Sequence, residues 1–151
     1  SRVRGKSEAV TMTRVDFYVV GTPDGISRER LACRLVEKAY KLGHRVYVHT
    51  ASPQQAAAVD DLLWTFRAGS FVPHGLYPAA DEALPVLVGH DAAPEQATEV
   101  LVNLADEVPA FFSRFERVAE TVGADTEEKR QARSRFRFYR DRGYDLRTHT
   151  L

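Results

Sequence analysis

Lys129, Arg133, Phe136, Arg137 and Arg140 recur at three- and four-residue intervals. At about 100° per residue of an α-helix they fall within one stripe about 100° wide, so four cations flank a single aromatic ring. Between Lys129 and Arg142 the chain carries seven cations (Lys129, Arg130, Arg133, Arg135, Arg137, Arg140, Arg142) against the one anion Asp141. An apolar foothold among guanidiniums suits either an acidic peptide with a hydrophobic end or stacked nucleobases, and composition does not separate the two. The plain alternative is a solvated basic face whose aliphatic stems cover apolar surface.

A second group is aromatic. In Leu62-Leu-Trp-Thr-Phe-Arg-Ala-Gly-Ser-Phe-Val-Pro-His-Gly-Leu76 a helix carrying Trp64 runs into a loop with Phe66, Phe71, Val72 and Pro73. Such residues either fold back as a satellite core or stay outside as anchors for a protein partner, where rigid rings bring much buried area at little entropic cost.

Other chemistry is thin. Gly21-Thr-Pro-Asp-Gly-Ile26 lacks both G-x-G-x-x-G and the G-x-x-x-x-G-K-[ST] phosphate cradle, and Pro23 removes an amide. The five histidines (44, 49, 74, 90, 149) show no metal-binding helical spacing. His49 and His90 each end a strand and could approach one another at the sheet's carboxyl edge; this reads as coincidence rather than a shared ligand site. Asp60 and Asp61 point apart on a helix, and no serine stands in a G-x-S-x-G elbow. Cys33 is the only cysteine and reads as a buried structural thiol. No cofactor, metal or catalytic site is expected.

These groups need a scaffold. Val15–Val20 and Arg45–Thr50 read as strands, each followed by a capped helix: Ser27 opens one that Gly43 stops, and Ser52-Pro53 opens the other. Leu84–Gly89 and Glu99–Leu104 add strands, Val108–Ser113 a short helical turn, and Phe115–Val122 a further strand. Asp125 with Glu128 forms an N-terminal signature for a helix that Gly143 ends. Arg67–Glu82 reads as a polar, proline-bearing loop. Near-continuous apolar strands alternating with helices imply a mostly parallel α/β sheet flanked by helices, Rossmann-like but without a nucleotide-binding glycine motif. With 151 residues, the chain is sized for one domain. Its 21 basic and 21 acidic residues balance, which argues against a dedicated duplex binder. Neither a membrane span of about 20 apolar residues nor a secretion signal is evident, which points to the cytoplasm.

Val59-Asp-Asp-Leu-Leu-Trp64, Phe71-Val-Pro-His74, and Ala132-Arg-x-Arg-Phe-Arg-x-Tyr-Arg140 followed by Gly143-Tyr-x-Leu146 together resemble the chi-subunit family of bacterial DNA polymerase III holoenzyme. The resemblance runs in order from Met12 to about Thr148. It implies a single chi-like α/β domain over residues 12–151; residues 1–11 precede Met12, which reads as the native start, and are set apart from the fold on that ground. It further implies a non-catalytic clamp-loader accessory subunit of the bacterial cytoplasm, touching DNA only indirectly. By position, Lys129, Arg133, Arg137 and Arg140, with Phe136 and Val122, would bind the acidic, phenylalanine-ended C-terminal tail of single-stranded DNA-binding protein. Trp64, Phe71, Pro73 and His74 would face the psi subunit, or a substitute such as a helicase-like protein. A direct single-stranded nucleic-acid binder and a small-molecule α/β enzyme are the alternatives.

Overall fold

The computed structural model describes residues 12–22 and 25–151; the reading of residues 1–11 as an added segment lies outside them. Seven strands, β1 (Arg14–Val19), β2 (Val46–His49), β3 (His74–Leu76), β4 (Val86–Gly89), β5 (Val100–Asn103), β6 (Arg117–Val122) and β7 (Asp145–Thr150), form one sheet ordered β3-β4-β2-β5-β6-β1-β7. Every pairing is parallel. The helices are α1 (Arg28–Lys41), α2 (Pro53–Thr65) and α3 (Thr126–Asp141).

Burial on both faces explains the apolar strands. On one face α1 and α2 pack Ala32, Val36, Val59 and Leu63 against Val46, Val48, Val86, Val88 and Val102. On the other, α3 and the segment around a 3₁₀ turn at Phe112–Arg114 pack Phe112, Phe115, Ala132 and Tyr139 against Val15, Phe17, Tyr47, Leu101 and Val118.

The helix ends follow their sequence signals. Ser27 Oγ accepts the Arg30 amide at 3.1 Å, and Ser52 Oγ accepts that of Gln55 at 3.1 Å. Asp125 accepts the amides of Glu127 and Glu128 at 3.0 and 3.2 Å. Glu128 does not complete a capping box: its carboxylate folds over Gly123, where a Cβ would lie 2.0 Å from Oε1. Gly43 and Gly143 stop their helices at φ 89° and 79°, the left-handed conformation that disfavours side chains.

Two strands depart from the reading above. β3 lies inside the segment taken as loop, and its three residues gain their pairing only from β4. β7, in the tail after Gly143, pairs in parallel with β1 although Asp145-Leu-Arg-Thr-His-Thr150 has no apolar run. An edge strand faces solvent along much of its length, so its sequence is polar and charged.

Candidate peptide-binding groove and aromatic surface

The stripe of α3 lies along the boundary between its buried side and solvent. Ala132, Arg135 and Tyr139 face the core, while Arg133, Arg137 and Arg140 are exposed and Lys129 and Phe136 half-buried. Phe136 packs its ring on Phe17 of β1, centroids 5.4 Å apart at 61°. Here a groove of about 230 Å³ opens, lined by Phe17, Val19, Val122, Lys129, Ala132, Arg133, Phe136 and Thr148.

Of the sequence-derived set, Lys129, Arg133, Phe136 and Val122 line this groove; Arg137 and Arg140 stand further along the same helix. Lys129 Nζ donates to the Val20 carbonyl at 3.1 Å, which holds the ammonium at the carboxyl end of β1. Arg133 is exposed at the rim and enters no side-chain hydrogen bond among the described residues. Among the described residues no acidic side chain lines the groove. The arrangement offers an apolar slot with positive charge at its mouth, suited to an anion attached to a hydrophobic group.

The excess of cations in this segment is smaller in space than in sequence. Arg135 is 3% exposed and donates to Glu120, to the Asp106 carbonyl and to the Thr121 carbonyl. Arg130 pairs with Glu127, Arg140 with Asp141 at 3.2 Å, and Arg142 lies over the Phe138 ring at 3.6 Å. Among the described residues, the cations of this segment without a carboxylate or ring partner are Lys129, Arg133 and Arg137; the Arg137 guanidinium donates to Ser134 Oγ at 3.2 Å. Phe17, Val19 and Thr148 complete the groove but were not singled out in the sequence, because β1 and β7 meet α3 only through the sheet; the alternation of β1 was the available signal.

The aromatic loop divides. Phe66 and Val72 turn into the core, whereas Trp64 and Phe71 are 56% and 81% exposed. Pro73 is exposed beside Phe71. His74 is buried: its Nδ1 lies 2.6 Å from the Val72 carbonyl and its Nε2 2.8 Å from that of Asp60, so the ring ties the loop to α2. Trp64 rests on this fixed imidazole, centroids 4.2 Å apart. His74 therefore supports the indole from below rather than offering itself to solvent.

His49 is buried at the end of β2 against Phe111, and burial pushes its pKa down. Burial likewise raises the Cys33 thiol to about 12, which leaves it an inert core group. Among the described residues no cluster of three or more metal-ligating side chains forms, and no helix is long and apolar enough to cross a membrane.

Fold and site together define an α/β protein whose distinguishing features are a basic-rimmed apolar groove and a separate exposed aromatic ridge. The sequence family described as DNA polymerase III chi subunit, HolC, matches residues 12–147, and the chain belongs to that family. It is 44% identical over 140 residues to the DNA polymerase III subunit chi of Pseudomonas aeruginosa, covering 93% of this chain and 98% of that one. Subunits of the same name from Escherichia coli (30% over 148 residues, covering 92% of this chain and 99% of that one) and Haemophilus influenzae (29% over 137 residues, 89% and 95%) are similar along nearly their whole length.

Proposed function

We propose that this chain is a non-catalytic accessory subunit of the DNA polymerase III clamp-loader complex, acting in DNA replication, and that its α3 groove captures the acidic C-terminal tail of single-stranded DNA-binding protein. Membership of the chi family supports the first part. The observation that carries the second is an apolar slot formed by Phe17, Val122 and Phe136, with Lys129 and Arg133 at its mouth and no anion among the described residues of its lining. The tail's terminal aromatic side chain enters beside Phe136. Its aspartates and terminal carboxylate pair with Lys129 and Arg133, Arg137 extends the positive field along the helix, and Arg140 joins by exchanging its exposed pair with Asp141 for the tail.

Trp64, Phe71 and Pro73, with His74 fixing the indole, form the surface for the psi subunit or a helicase-like substitute. Large exposed rings held on a rigid helix end are the usual anchors of such contacts. DNA is reached through these partners, in the bacterial cytoplasm.

The test is calorimetric titration with a peptide ending in Asp-Asp-Ile-Pro-Phe, in parallel with an oligonucleotide of equal charge. The peptide should bind with one-to-one stoichiometry and weaken as salt rises, and the oligonucleotide should bind weakly. Tight oligonucleotide binding that persists with the peptide saturating would replace this reading with direct single-strand binding.

A further inference from the structure

A second cavity, of about 420 Å³, lies elsewhere, at the carboxyl edge of the sheet. β2 and β5 are neighbours there, yet their chains diverge: β2 leads through α2 on one face toward β3 and β4, and β5 leads past Phe112 on the opposite face to β6. Parallel α/β sheets take ligands where successive connections part in this way.

His49 lines the cavity, is 8% exposed, and buries Nδ1 without a hydrogen-bond partner among the described residues. A buried polar atom left unpaired is unusual enough to need a reason, and a role in binding is one. The rest of the lining has a definite character. Asp91 and Glu107 are exposed at the rim, His90 approaches Asp91 at 3.4 Å, and Val108 and Phe111 form an apolar wall. Asp106 is committed to Arg28 at 3.2 Å. Among the described residues no lysine or arginine lines the cavity, and the nearby Arg28 is held by Asp106 and the Ala105 carbonyl, so an anion would face Asp91 and Glu107 with no free cation in the lining to pair with.

We propose that this cavity binds an organic cation, a primary ammonium or guanidinium on an aliphatic stem, which donates to His49 and to the Asp91 and Glu107 carboxylates while its stem lies along Val108 and Phe111. Burial keeps the His49 ring neutral and therefore able to accept from an N–H donor. The cation has two natural sources, a free polyamine or a lysine or arginine side chain of a partner protein. The site shares no lining residue with the α3 groove and does not depend on that groove's role.

The experiment is NMR titration of the full chain with spermidine and, separately, with a short blocked lysine–arginine peptide. Saturable shifts at His49 and Phe111 are expected. The Asp91→Asn/Glu107→Gln double variant, altered only at exposed positions, should weaken binding at least about tenfold by losing two charge-assisted bonds while melting as the wild type does. Arg133→Ala should leave it unchanged. Tighter binding of spermidine assigns a free polyamine, and tighter binding of the peptide assigns a partner's side chain. The proposal is overturned if neither probe saturates at millimolar concentration, if the double variant binds as the wild type does, or if inorganic phosphate shifts the same resonances.

Discussion

Arg135 donates Nε–H to Glu120 Oε1 at 2.8 Å, with the two side chains only 2% and 0% exposed. Asn103 Nδ2 and the Tyr139 hydroxyl donate to the same carboxylate at 3.0 and 2.7 Å. Burial beside this carboxylate pushes the Tyr139 phenol well above its ordinary range, so the hydroxyl stays a donor. Through this network β6 and β5 fix the rotation of α3 about its own axis, and hence the position of Phe136 and Arg133 over the strands.

Removing one partner of that pair strands a buried charge. Glu120→Ala or Arg135→Ala should each cost about 3–5 kcal/mol in denaturant unfolding. If the network sets the rotation of α3, either variant should also lower acidic-peptide affinity although neither residue lines the groove. A stability cost within the surface range of about 0.5 kcal/mol would show that the pair is not held as described.

At the groove, Arg133→Ala should weaken binding of the acidic peptide by about 1.5–3 kcal/mol, the value of a hydrogen bond to a charged group, with the melting temperature unchanged because the side chain is exposed. Arg142→Ala is the comparison, since its guanidinium is occupied over Phe138, and it should change affinity little. Equal losses in calorimetry would reduce the groove to a generic basic surface.

The exposed aromatics separate from the core by stability. Phe71→Ala should leave unfolding free energy nearly unchanged, whereas Leu63→Ala, fully buried in α2, should cost about 2–5 kcal/mol. Binding of psi or its substitute should fall by about 2 kcal/mol or more in Phe71→Ala, with acidic-peptide affinity the same within error, because the sites share no residue. A large stability loss in Phe71→Ala would withdraw the second interface.

Acid titration reports on β1 and β7. Burial opposes ionisation of Asp16, but His149 Nε2 at 2.9 Å, Arg14 and Arg117 outweigh it and hold the carboxyl below its ordinary range. A depressed folded-state pKa gives stability that is present above the unfolded value of about 3.9 and lost as pH falls through the folded one. Stability should therefore drop below about pH 4, and Asp16→Asn should be less stable at neutral pH with a flatter acid limb. An acid limb identical to the wild type's would remove Asp16 from the acid response.

What was legible in the sequence had local causes. The caps at Ser27, Ser52 and Asp125, the glycine stops at 43 and 143, and the apolar runs of β2, β4 and β5 are decided within a few residues, and the structure follows them. The α3 stripe was equally local, since helix geometry alone separates Arg133 and Phe136 from Arg135. What the sequence left open depended on partners far along the chain. β7 carries no apolar pattern and exists through its pairing with β1. Whether Phe66 or Phe71 faced inward was set by how the loop docks on α2 through His74. The charge of Arg135 is consumed by Glu120, and the floor under Phe136 is Phe17, more than one hundred residues earlier. Helix and strand periods are properties of neighbouring residues, whereas the neutralisation of a charge and the walls of a groove belong to segments that only the folded sheet brings together.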